Sequence, residues 1–562
     1  MSRAPTMRRR PEGSHVLVAA SAVGLILLVG LPLLFLLLQA VFPGFNEGSF
    51  DQPFQAFRET LPDPALAELT GNTLLLGLAV VLGTLVVAGP VGLLRAVYRI
   101  PAATTWDVIF LVPFMIPPYI AAMAWMMTLQ PGGYLEQLTG VHAGGFLFSV
   151  GGVVFVMILN LFPLTYFAVS RTVAAVGGRQ GAVARVCGAS PWRAFVRVTL
   201  PLCLPGIAAA QLLVFVLSIE EFGTPATLAS RSGFHVLVTG IHERFADWPI
   251  DIPGAAVLST VLVVLAIAAY GLQHWLVTRR DRVTVTGKPV QPQQAEPGRW
   301  RPAVLAAFGM LAFAGVVLPL TGMVVTALTR TVSGGLTPGN LALDHFRAAL
   351  EPGSGALTAL LNSLGLATGT ALVTAVAGMV IAWCVVRAPV RGRTLLDALA
   401  VLPNAIPGIV VAVGLVLVWN QPWWPITVYN TPLILLVAYC CLLIPYPVRY
   451  AAAGLRQTSV SLEQAARVAG AGPMRILVRV VLPLVLPSVL VAMLLVFAVA
   501  TRELVASLIL TPPGMHTVAT YIFRQFEQGS VGEGMALSTI AVAVTTGLLL
   551  LVARRLRGGM LV

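Results

Sequence analysis

Long apolar blocks separated by short polar segments run the length of the chain. Each is roughly 20 residues, the length a helix needs to cross about 30 Å of hydrocarbon. The blocks are continuous, whereas membrane-spanning strands alternate apolar and polar residues. Backbone groups in lipid have to be paired internally, and a helix does this within one segment. The pattern predicts twelve spans. The first six are 16–41, 69–96, 105–128, 150–172, 202–222 and 255–277; the second six are 302–328, 361–386, 395–419, 431–450, 484–508 and 535–553. The first block is longer than a signal-peptide core and has no clear small-x-small cleavage site, so it reads as a span. The expected fold is an all-α polytopic membrane protein.

The same pattern occurs twice. At an offset of 290, Asn72 matches Asn362, Asp107 matches Asp397, Pro113 matches Pro403 and Pro117 matches Pro407. At an offset of 282, a second block aligns from Ala184 with Ala466 through Glu221 with Glu503. Within it, 15 of 25 positions are identical between 181–205 and 463–487, including Arg, Gly and Pro. The chain therefore divides into a first membrane half (1–280), a polar linker (281–301) and a second membrane half (302–562), as two tandem six-helix repeats. Six spans is an even number, so the halves have the same orientation, with a pseudo-twofold along the membrane normal and a pathway between them. The matched prolines are expected to kink their spans at one depth. The matched asparagines are expected to hydrogen-bond between helices.

Composition supports this class. Hydrophobic residues make up 57% and charged residues 10%, against about 25% charged in soluble domains. With the Met1 end inside, 28 of the 35 Lys and Arg residues fall on the inner side, the bias of cytoplasmic loops. Both termini are then cytoplasmic. The formal charge of +13 reflects this distribution; no alternation of basic and aromatic residues suggests a nucleic-acid groove. Cys187, Cys203, Cys384, Cys440 and Cys441 read as small buried hydrophobes without a CxxC pair. The outer-loop histidines 142, 235, 242, 345 and 516 lack ligand spacing, and Met123, Met126 and Met127 read as packing. No catalytic or metal cluster is expected. Lys288 is the lone lysine, and Arg282 stands where a P-loop needs glycine, so this chain is not expected to hydrolyse ATP or bind a cofactor.

The most informative segments lie on the inner side between the fourth and fifth spans, at 181–201 (GAVARVCGASPWRAFVRVTLP) and 463–483 (EQAARVAGAGPMRILVRVVLP). Each predicts a short helix, a glycine break, a proline-started second helix and a Leu-Pro pair entering the membrane. The pattern resembles the EAA loop of ABC-importer permeases. Gly188, Leu200 and Pro201, and Gly470, Leu482 and Pro483, match in spacing. The acidic position departs: Glu463 is one place early, before Ala465 and Ala466, and the first copy has Ala184 but no acid. The resemblance implies loops that couple to a separate ATPase subunit, present as a dimer. It also implies a soluble periplasmic or extracellular substrate-binding protein and a multi-pass location in a bacterial inner (plasma) membrane.

Two fused six-span halves further resemble the ferric-iron permease family. IEEFGTPATL (219–228), TRELVASLILTPPG (501–514) and VLPNAIPGIVVAVGL (401–415) carry that likeness. The third is shared with thiamine and polyamine permeases; thiamine, polyamine or aminophosphonate cargo is the alternative. Glu220, Glu221 and Glu503 stand at the outer ends of equivalent spans, where an acid is costly and tends to face a cavity or partner. Carboxylates suit a hard cation, but they also cap helices. A secondary transporter is the alternative class, disfavoured because the span centres carry almost no charge.

Overall fold

A computed structural model describes residues 12–229, 232–278, 294–388 and 392–559. The arginines at 3–10, Arg231, Arg391 and linker residues 281–293 lie outside the described residues. Among those described the elements are helical, apart from two isolated bridges. Among the described residues nine helices are long and apolar enough to cross a membrane. The count is twelve when three bent helix pairs each form one span. Many large apolar side chains on these spans are exposed, among them Leu82, Val86, Val264 and Val376. An apolar surface of that extent is stable against lipid and not against water.

The matched prolines do more than kink their spans. Ala103–Met115 and Pro118–Thr139 meet at 94°, and Arg393–Ala405 and Gly408–Trp419 at 113°. The breaks fall at Ile116–Pro117 and Ile406–Pro407, where both isoleucines are extended (ψ 127° and 120°). A residue before proline is pushed out of the helical region, and proline offers no N–H to continue the ladder. In the first half the Pro113 carbonyl, which loses its Pro117 donor, accepts instead from Asn160 Nδ2 at 3.2 Å.

The Leu-Pro pairs have a different consequence. Leu31-Pro32, Leu200-Pro201, Leu318-Pro319 and Leu482-Pro483 each follow a five-residue π-turn: Ile26–Gly30, Phe195–Thr199, Phe313–Val317 and Leu477–Val481. In each the leucine N–H bonds five residues back. Widening the turn gives the proline ring room against the preceding carbonyls, so the helix continues through it.

Two compact units emerge, each assembled from segments of both sequence halves. One comprises 1–51, 358–520 and 544–562; the other comprises 52–357 and 521–543. In the first unit Leu31–Val41 packs on Gly408–Trp419. A Cβ at Gly414 would lie 2.5 Å from the Pro32 carbonyl oxygen. In the second, Leu318–Leu328 packs on Pro118–Leu129, with Gly322 against Thr128 and Tyr134 donating to Thr326 Oγ1 at 2.8 Å. Small residues let helix backbones approach this closely where no hydrophobic effect drives association. The described end of the linker is ordered: Ala295 forms a short parallel bridge with Tyr98, and Gln294 donates to the Arg95 carbonyl.

Candidate functional site

The segments 181–201 and 463–483 are built the same way in both halves at their glycines. Gly188 and Gly470 adopt φ of +87° and +82°. Ala189 N–H donates to the Ala184 carbonyl and Gly188 N–H to that of Arg185, each at 3.0 Å. Ala471 donates to Ala466, and Gly470 to Arg467, at the same distances. Each is a Schellman ending, in which a left-handed residue satisfies the last helix carbonyls. A Cβ at either glycine would meet nothing within 4 Å, so the glycines answer to backbone conformation.

The approach to these glycines differs. In the first half one helix, Val150–Val186, runs unbroken from the span into the segment around Gly188. In the second half the chain is divided into Pro432–Leu443, Pro445–Gln457 and Val460–Val468. Ala465 is exposed and Ala466 half-buried, while Glu463 is buried. Ile476, Val481 and Val485 pack with Ala451 and Leu455, fixing the segment's end to the second-half spans. Leu200 and Leu482 are half-buried, and Pro201 and Pro483 exposed. Near the glycines, Val186 and Val468 are 88% and 91% exposed and Trp192 is 74% exposed. Cys187 is also exposed, unlike the other four cysteines, because it caps the helix end beside Gly188.

At the opposite ends of the spans, Glu221 Oε1 accepts from Thr224 N–H at 3.1 Å and Glu503 Oε1 from Ala506 N–H at 3.0 Å. Both carboxylates thus cap the short segment that follows. Each also stands near the helix that resumes after the proline break. A Cβ at Gly223 would lie 2.5 Å from Tyr119 Cβ and 3.2 Å from Glu221 Oε1, and one at Gly408 3.9 Å from Glu503 Oε1. A carboxylate near a helix N-terminus is favoured by the exposed amides and the dipole. Glu220, the last residue of Leu200–Glu220, is half-buried.

The asparagines also form a matched device. Asn72 Nδ2 donates to the His235 carbonyl at 2.9 Å and Asn362 Nδ2 to that of His516 at 3.0 Å. The next residues, Thr73 and Ser363, accept from Leu237 and Val518 N–H, each at 2.8 Å. These bonds pin the starts of Leu237–Ala246 and Val518–Glu527 to the second span of each repeat. The matched aspartates are ion-paired from different directions. Asp107 binds Arg95 at 2.9 Å and accepts from Tyr166 OH at 2.7 Å, whereas Asp397 lies 3.7 Å from Arg449.

The chain belongs to the family described as binding-protein-dependent transport system inner membrane component, which it matches twice, over 88–282 and 374–558. It is a multi-pass inner-membrane permease with two fused halves. It is similar to the ferric transport system permease protein FbpB of Actinobacillus pleuropneumoniae, 24% identical over 447 residues. That match covers 78% of this chain and 64% of the relative, so the chain spans less than two thirds of the relative's length. The Fe(3+)-transport system permease protein FbpB 2 of Haemophilus influenzae is 27% identical over 508 residues, covering 89% of this chain and 91% of the relative. The putative 2-aminoethylphosphonate transport system permease protein PhnV of Salmonella typhimurium is 29% identical over 259 residues, 45% of this chain and 96% of the relative.

Proposed function

We propose that this chain is the membrane permease of an ATP-driven importer that moves ferric iron inward, with the iron delivered by a soluble binding protein. The pair of Schellman-terminated inner segments carries the reading. Their exposed apolar residues, Val186 and Trp192 in one and Val468 in the other, form patches that suit a partner better than water. An ABC ATPase dimer, one subunit per segment, is that partner and hydrolyses the ATP. Both termini face the cytoplasm with it. Closure of the ATPase dimer draws the segments together, and each repeat transmits the motion to its proline-broken span.

The ferric reading is supported by the extent of the likeness to the two FbpB proteins and by three family-like stretches. Glu221 and Glu503 supply hard oxygen atoms at equivalent places. Each accepts from a backbone N–H of the segment that follows, and we assign the pair to the path of iron in transit, with Glu220 beside the first. The PhnV likeness supports the second reading, an aminophosphonate importer. Uptake of labelled ferric iron, thiamine, putrescine and 2-aminoethylphosphonate, compared in cells with and without the gene, separates these. Loss of iron uptake alone is expected. Normal iron uptake with loss of another solute contradicts the ferric reading.

A further inference from the structure

The two inner segments reach their matching glycines by different constructions, and a buried ion pair stands at the joint found in one of them. In the second half the chain is extended at Thr458 and Ser459 (ψ 133° and 132°), between Pro445–Gln457 and Val460–Val468. Such a joint leaves the last carbonyls of one helix and the first amides of the next without helical partners. Arg387, the last residue of Gly355–Arg387, serves the carbonyls, while Ser459 Oγ accepts from Ser461 N–H. Arg387 Nη2 donates to the Leu455 carbonyl at 2.7 Å, the Thr458 carbonyl at 2.8 Å and Thr458 Oγ1 at 3.0 Å. Its Nε lies 3.0 Å from Glu463 Oε1, and the two side chains are 12% and 7% exposed. One guanidinium therefore holds the negative end of one helix and a carboxylate in the first turn of the next, both arrangements the helix dipoles favour.

Among the described residues the first half has neither the joint nor the pair. At the 290 offset Arg387 corresponds to Val97, and at the 282 offset Glu463 corresponds to Gly181. There Val150–Val186 passes without a break. Counterparts of this arginine and this glutamate are both absent from the repeat that has no joint to close.

We infer that Arg387 is a positioning residue that locks the second inner segment to its span through Glu463, so the second half transmits motion through an ion-pair latch where the first uses a continuous helix. This rests on the reading of both segments as the ATPase-facing ones. A buried pair broken on one side leaves an uncompensated charge, so the informative variant is the double replacement Arg387→Met/Glu463→Leu, which restores an apolar contact without restoring the latch.

The test uses the assembled transporter. Benzoylphenylalanine is placed at Val468 or, in a separate chain, at Val186, and photo-crosslinking to the ATPase subunit is read with and without ATP. In the double variant we expect the Val468 crosslink to fall at least about fivefold and transport per ATP hydrolysed about tenfold, with the Val186 crosslink unchanged. Unchanged crosslinks and coupling would reduce the pair to packing and overturn the latch. An equal fall at both positions would overturn its restriction to one half. No crosslink from either position in the otherwise unaltered chain would instead overturn the ATPase-facing reading. If the double variant does not assemble, Arg387→Lys decides. Lysine keeps the charge but lacks the planar fork. A fall of at least about twofold at Val468 supports the latch, and no change overturns it.

Discussion

Gly188 and Gly470 show how single residues set local geometry. Their left-handed φ costs a residue with a Cβ about 1 kcal/mol, while the space around them is open. Gly470→Ala is therefore expected to cost about 1 kcal/mol in thermal denaturation and to preserve uptake. Gly470→Trp should insert and fold yet lose ATP-driven uptake; normal uptake in it would argue against the coupling assignment. These glycines were legible in the sequence because a helix-ending glycine with matched neighbours specifies its own conformation. Arg387 was not, since its partners Leu455, Thr458 and Glu463 are brought to it only by the packing of separate helices. His242 is another residue whose role depends on folding. It lies against Phe222 at 4.9 Å, and burial lowers its pKa from the usual value, outweighing Asp247 and Glu243. Below pH ~6.5 the unfolded chain binds the extra proton more readily than the folded one. Stability should be full above that value and fall as the pH drops toward the lowered folded pKa. His242→Phe should flatten that slope in melting curves recorded between pH 7 and 5, values spanning the histidine range.

At the scale of elements, the broken spans and the helices pinned by the asparagines are the recurring units. The sequence placed the matched prolines and asparagines correctly, but it pointed only to kinks and to a generic interhelical bond. The size of the break follows from the consecutive prolines at 117 and 118 and from Pro407-Gly408, which cannot rebuild the ladder within a turn. The asparagine acceptors, the carbonyls of His235 and His516, are more than 150 residues away in each case, beyond the reach of local patterning. Asn160, which serves the Pro113 carbonyl, corresponds to Leu442 when the 282 offset is extended to it. Asn160→Leu should destabilise the chain by about 1–3 kcal/mol by leaving a buried carbonyl unsatisfied. Leu442→Asn should give no matching gain. Thermal unfolding in detergent measures both.

For the whole molecule, the twofold sequence repeat and the compact units do not share boundaries. Each unit draws its first-span segment from the other half: 1–51 with 358–520, and the stretch up to 357 with 52 onward. The sequence showed the repeat because identity is linear, and hid the exchange because apolar spans carry no address. Residues 302–562 expressed alone should accordingly be unstable and rapidly degraded, and co-expression with 1–280 should restore a stable complex. Stable accumulation of the isolated fragment would show that the exchange is dispensable.

The most direct test of the central claim is transport by purified components. The chain is reconstituted in proteoliposomes with its ATPase subunit and with the binding protein loaded with radiolabelled ferric iron. Iron accumulation is expected to require ATP and the binding protein and to be lost in Gly470→Trp. Iron accumulation indifferent to ATP, or retained in that variant, would contradict the claim.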